Sequence, residues 1–227
     1  LGGKLLILNG LNLACLLGKN AHEIQALKKT LPPWVLFVSF EGYGVLPEDK
    51  IAYEEADFTV MAKSLNLRPV SEIPGASAEE FSRLVSQPSS NPYWKTRFKG
   101  GVEELFFLTT LDKTPSFSTS IADLARQHKY PLDNIGVYIQ PIVQGTSCHC
   151  EFDLYYSPAF DSAAEATKGF VGLAGEKIAA MDGFFSRPYS AWQDIAYRNA
   201  KDTAAMQRKI KAIFDPNAVL NPGKLGY

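Results

Sequence analysis

The side chains best able to do chemistry fall in two short stretches. The first is Cys148-His149-Cys150-Glu151-Phe152-Asp153. Successive residues of a strand point to opposite faces, so His149, Glu151 and Asp153 share one face, and Cys148, Cys150 and Phe152 share the other. The segment from Ile135 to Val143 reads as the preceding strand of a hairpin, with residues 144–147 as its turn. Pairing Val143 with Cys148 adds Tyr138, Gln140 and Ile142 to the polar face. The functional reading of this face, which gathers His149, Glu151 and Gln140 into one patch, is that it roofs a binding site. The same alternation also describes a solvated sheet face, so the residues alone leave both readings open. A metal site is not expected. Alternation sends His149 away from both cysteines, and no second ligand pair is spaced to join them.

The second stretch is Phe184-Phe185-Ser186-Arg187-Pro188-Tyr189-Ser190-Ala191-Trp192. Pro188 keeps Arg187 out of helical geometry. An arginine held there can grip an anionic group through paired hydrogen bonds, with Tyr189 as a pocket wall. A surface ion pair is the alternative. Gly172 to Lys177 lacks the spacing of a phosphate loop, and neither a G-x-S-x-G elbow nor a strand-linked G-x-G-x-x-G occurs.

These stretches need a scaffold. Leu5 to Leu8 reads as a strand, broken by Asn9, Gly10 and Asn12. Asn20 with Glu23 resembles a capping box, opening a helix that stops before Pro32-Pro33. Trp34 to Phe40 reads as a buried strand, Pro47 to Leu65 as a helix and Leu67 to Ile73 as a strand. Ser77 and Glu80 make a second capping box, and residues 87–92 form a polar break. A strand from Glu103 to Leu111 follows, then a helix from Thr119 or Ser120 to Lys129, then the hairpin. Helices from Ser162 to Ala180 and from Trp192 to Phe214 close the chain. This order predicts an α+β fold, with an antiparallel or mixed sheet and helices packed on one face.

Composition narrows the functional classes. The 227 residues carry 23 Lys+Arg against 24 Asp+Glu, a net charge of −1, so a nucleic-acid partner is not expected. No apolar run reaches the about 18 residues of a membrane span, and the opening LGGKLLIL is too short and too soon broken for a signal peptide. Three cysteines, Cys15, Cys148 and Cys150, do not suggest a disulfide framework, which favours a reducing, cytoplasmic compartment.

The C-terminal run Phe214-Asp215-Pro216-Asn217-Ala218-Val219-Leu220-Asn221-Pro222-Gly223-Lys224 resembles the terminal signature of FAD-linked oxidases of the vanillyl-alcohol oxidase and p-cresol methylhydroxylase type. Arg187 falls about where the aryl-alcohol branch carries an active-site arginine, and His149 sits at the recurrent histidine of the cap hairpin. Ser186 departs from the tyrosine that phenol oxidases place before that arginine. The hydroxy-acid dehydrogenase branch's paired metal-binding histidines are also unmatched. The resemblance implies a ferredoxin-like duplicated cap, with residues 1–33 leading from an FAD domain, 34–183 as substrate-binding cap and 184–227 as a tail returning to the flavin. It implies oxidation of an organic alcohol or alkylphenol by hydride transfer to FAD. Arg187 and His149 would be catalytic, Tyr138, Gln140 and Tyr189 would bind substrate, and Asn221, Gly223 and Lys224 would lie at the cofactor. Its partners would be an FAD-binding domain in the same or another chain, a small-molecule substrate and an electron-acceptor protein. No Gly-rich FAD-binding segment is recognised before Trp34, so this chain alone is expected to be inactive and to hold FAD weakly. A non-catalytic ligand-binding or assembly domain and a hydroxy-acid dehydrogenase cap are the alternatives.

Overall fold

The computed structural model describes residues 3–89, 91–143, 146–188, 192–198 and 200–222. Its centre is a five-stranded antiparallel sheet built from β1 (Leu5–Asn9), β2 (Trp34–Val38), β5 (Gly101–Thr109), β6 (Ile135–Val143) and β7 (Ser147–Tyr156), in the order β2-β1-β6-β7-β5. Strands β5 and β6 both run antiparallel to β7, and α5 (Thr114–Gln127) joins them. They are therefore parallel to each other with β7 between them, a split β-α-β unit. Strand β1 pairs with β2 on one side and β6 on the other, so both sides of residue 33 share one sheet.

The alternation read from the hairpin decides the two faces. Val137, Ile139, Cys148, Cys150, Phe152 and Leu154 join Leu105 and Phe107 of β5 in one apolar layer. Helix α5 covers that layer with Phe117 and Ile121, and α6 (Asp161–Ala180) covers it with Phe170, Val171, Ala174 and Ile178. The observed register is Gln140↔His149 and Pro141↔Cys148, with a bulge before Val143↔Ser147. This differs by two positions from pairing Val143 with Cys148. A shift of two leaves every side chain on its face.

The second face also receives helices at one end. Helix α1 (Gly10–Leu17) packs Leu11, Leu13, Ala14 and Cys15 against Leu6, Leu8 and Tyr155, followed by Ile24 of α2 (Ala21–Thr30). The expected break at Asn9 is instead a helix start, because the Asn9 side chain accepts from the Asn12 N–H at 3.0 Å. The same Asn9 oxygen accepts from the Val137 N–H, and its amide donates to the Ile135 carbonyl, tying the helix start to β6.

Several boundaries differ from the sequence expectation. Trp34 and Leu36 are 46% and 44% exposed, because β2 is an edge strand and not a buried one. Of the strand expected at 67–73, only Glu72–Ile73 (β3) pairs, with Ala76–Ser77 (β4), since Pro69 has no N–H to give a ladder. Gly75 at φ +94° closes that hairpin, a conformation open to glycine. Helix α3 (Pro47–Ser64) and the boxed α4 (Ala78–Ser86) form as expected. Helix α5 starts at Thr114, five or six residues early, because Pro115 suits a first helical turn. The terminal helix is two, α7 (Gln193–Tyr197) and α8 (Lys201–Phe214). Trp192 and Ile195 are drawn onto Gly175 of α6, whereas α8 buries only Ala204.

Candidate functional site

On the second face, beyond α1, lies a cleft of about 650 Å³. Tyr138 and Gln140 of β6, His149 and Glu151 of β7, Tyr93, Trp94 and Lys95 before β5, and Arg187 line it. The register places Tyr138 opposite Glu151 and Gln140 opposite His149, so four functional side chains meet through two adjacent strand pairs.

The face is not a solvated one. Glu151 is 8% exposed and Asp153 fully buried, and both are met by Lys95, itself 5% exposed. The Lys95 ammonium donates to Glu104 at 2.6 Å, to Asp153 at 2.9 Å and to Glu151. Moving such ions out of water costs several kcal/mol each, and the close contacts around Lys95 offset that cost only in part. Burial alone would lower the Lys95 pKa, but Asp153, Glu151 and Glu104 together raise it. Burial would raise that of Glu151, yet the hydrogen bond from His149 and the charge of Lys95 win and bring it down to about 2. Asp153 goes the other way: complete burial and the Glu151 charge hold its pKa well above the usual carboxylate range. The two carboxylates are thus shifted in opposite directions.

From this ion cluster, contacts run outward to the cleft and inward to the core. Outward, Glu151 Oε2 lies 2.8 Å from His149 Nε2. The imidazole stacks on Phe106 at 5.8 Å and meets the edge of Tyr138 at 5.6 Å. The Tyr138 hydroxyl donates to Gln140 Oε1 at 2.5 Å, and burial with the nearby Glu151 charge pushes its pKa up to about 12, so it stays a neutral donor. Inward, Asn12 Nδ2 donates to Asp153 at 2.6 Å and Asn12 Oδ1 accepts from Tyr155 at 2.8 Å.

Arg187 arrives from the sheet edge. Leu108 of β5 exchanges two backbone hydrogen bonds with Phe184, at 2.7 and 2.9 Å, which lays the following segment beside β5. The guanidinium then sits 4.4 Å from the centre of the Phe106 ring. Arg187, Phe106 and His149 form one stack at the cleft, with a cation exposed at its outer end.

The structure thus brings together Arg187, His149, Tyr138 and Gln140. Asn221 is exposed at φ +47° and does not line the cleft. Tyr189, Gly223 and Lys224 lie outside the described residues. Sequence reasoning missed Lys95, Glu104 and Asn12. One signal was available: Glu104, Glu151 and Asp153 on an inward face call for a buried cation. Cys148 and Cys150 point into the opposite, apolar layer, where burial raises both thiol pKa values.

Residues 192–225 match the family described as FAD linked oxidases, C-terminal domain. The fold is similar to that of p-cresol methylhydroxylase, solved with substrate bound, with a TM-score of 0.71 and 17% identity over 98% of this chain and 46% of that one. It is also similar to 4-ethylphenol oxidase from Gulosibacter chungangensis, solved as an isoeugenol complex, with a TM-score of 0.67 and 16% identity over 98% and 47% of the two chains. The chain spans less than half the length of each. No curated protein matches it by sequence. The match over residues 192–225 supports an FAD-linked oxidase C-terminal region there, FAD being the cofactor that the family's description names, and the two likenesses show the fold.

The cleft residues suit part of that cofactor. An exposed guanidinium beside a neutral hydroxyl and an amide fits a flat, polar-edged ring that gains negative charge. Among the described lining residues there is no glycine-rich backbone cradle for a pyrophosphate.

Proposed function

We propose that the intact protein is an FAD-dependent oxidoreductase acting on an organic alcohol or alkylphenol, and that this chain supplies the substrate-facing wall of its active site. The observation that carries this reading is the stack of Arg187, Phe106 and His149 at a cleft floored by Tyr138 and Gln140. Flavin, when bound, supplies the hydride acceptor. Arg187 offsets negative charge on a phenolate or on the cofactor, as a planar cation whose donors remain exposed. Tyr138 and Gln140 orient the substrate hydroxyl, and His149 accepts its proton. By the resemblance, Tyr189 is a further substrate-binding residue, and Asn221, Gly223 and Lys224 are cofactor-binding ones. The FAD-binding domain belongs to the same protein or to a partner chain, and reoxidation uses a separate electron acceptor.

The test is anaerobic mixing of the purified, flavin-loaded protein with benzylic alcohols and 4-alkylphenols while the visible flavin absorbance is followed. Bleaching by at least one substrate is expected. Arg187→Ala is expected to slow it about 10²- to 10³-fold, with partial recovery in Arg187→Lys. Unchanged bleaching in Arg187→Ala would remove Arg187 from the mechanism.

A further inference from the structure

The buried ion cluster behind the cleft is larger than a structural pair needs. One ammonium meets three carboxylates, and one of these, Glu151, is the only bridge from the cluster to His149 in the hydrogen bonds described. The Glu151 carboxylate divides its work. Its Oε1 is taken by Lys95 and its Oε2 by His149. An ionised carboxylate only accepts hydrogen bonds, so a neutral His149 must carry its proton on Nε2 and its lone pair on Nδ1. A protonated Glu151 could donate instead, and the imidazole could then take the other tautomer.

We propose that Lys95 is a positioning residue of the cleft: by holding Glu151 as an anion from behind, it locks His149 in the tautomer whose Nδ1 can take a proton from the substrate. The step is a plain proton transfer. The substrate O–H bond breaks, an N–H bond forms at Nδ1, and the electron pair stays on oxygen. The proposal rests on the reading of the cleft as a substrate site. Nothing in the local sequence of Lys95, between Trp94 and Thr96, marks it. Its place comes from the turn Trp94–Arg97, which packs on β5 and α1 and delivers the side chain under β7.

Among the described residues, the groups around Glu151 come from several elements, and Tyr93 donates to Glu104 at 2.8 Å. Lys95 comes from the turn, Glu104 from β5, Tyr138 from β6, and His149 and Asp153 from β7 itself. Asn12 of α1 holds Asp153, and Tyr155 holds Asn12. Lys95 is the cation of this set and binds all three carboxylates, so its loss raises the carboxylates' affinity for protons. Glu151 would then begin to protonate in the working pH range.

The experiment uses the purified flavin-loaded protein with 15N-labelled histidine, the His149 signals being assigned by their loss in His149→Asn. The wild type is expected to show one tautomer, protonated at Nε2. Lys95→Met combined with Glu104→Gln removes one cation together with one anion and so limits the folding penalty. Lys95→Gln with Glu104→Gln serves if the first pair does not melt cooperatively. Either pair is expected to show mixed tautomers, and the acid limb of the flavin-reduction rate is expected to move up by about one pH unit or more. Lys95→Arg is expected to restore the single tautomer and the wild-type limb. A folded double variant with one Nε2–H tautomer and an unmoved acid limb overturns the proposal. If no alcohol or phenol bleaches the wild-type flavin, the functional reading fails, whereas the tautomer measurement still decides the role of Lys95.

Discussion

Glu151 and Asp153 differ by one methylene and sit on the same strand face, yet the protein treats them in opposite ways. Glu151 gains a histidine and a lysine, which more than offset burial. Asp153, deeper and fully buried, feels the Glu151 charge as well and favours its proton. The linkage signs follow. Glu151 is depressed from its ordinary value to about 2, so its contribution to stability is present above the unfolded pKa of about 4.3 and is lost as pH falls toward about 2. Asp153, raised, contributes with the opposite sign as pH climbs above about 3.9. Lys95 is raised, so its contribution is complete below about 10.4 and is lost only as pH rises through its higher folded value. We therefore expect Glu151→Gln to flatten the loss of stability between about pH 5 and pH 3, measured as urea midpoints across that range. A wild-type acid slope retained in the variant would place that loss on other carboxylates.

At the scale of elements, helix α1 decides how the cluster is closed. Asn12 reaches Asp153 only because Gly136 of β6 has no side chain. A Cβ there would overlap the Asn12 amide. Gly136→Ala is expected to cost about 1–3 kcal/mol by urea denaturation, the range for overpacking, since either α1 must lift or Asn12 must leave Asp153 with an unpaired oxygen. The helix itself was unreadable in advance because Asn9-Gly10-Leu11-Asn12 has the composition of a turn. What makes it a helix start is the Asn9 side chain serving the Asn12 N–H and β6 at once. The hairpin was legible for the opposite reason. A strict apolar and polar alternation assigns each residue to a face, and a register displaced by two does not change that assignment.

For the whole molecule, the sheet has one closed and one open side. Strand β5 is continued by the Phe184 segment and leads Arg187 to the cleft, whereas β2 keeps Trp34 and Leu36 about half exposed. This asymmetry predicts a contrast in stability. Leu8→Ala on β1, where Leu8 is 2% exposed, is expected to cost about 2–5 kcal/mol, and Leu36→Thr on β2 to stay within about 0.5 kcal/mol. Equal costs from equilibrium denaturation would mean that β2 is covered in solution. The same long-range arrangement explains why the site could be read only in part. Arg187, His149, Tyr138 and Gln140 were each visible in their own segments. Lys95 was not, because its three partners lie 9, 56 and 58 residues away along the chain.

Local chemistry by itself determined much of this protein. The period-two pattern of β6 and β7 set which side chains face each other, the Ser77 box opened α4, and the C-terminal turn carried the resemblance to FAD-linked oxidases that the match over residues 192–225 supports. These follow from forces acting within a few residues: strand pleat, capping hydrogen bonds and proline geometry. The tertiary structure alone decided that the polar face is buried, that a lysine from a turn neutralises it, and that Arg187 stacks on Phe106 beside His149. Burial and charge are properties of what surrounds a side chain, and those surroundings exist only once β5, α1 and the Phe184 segment have closed on β7.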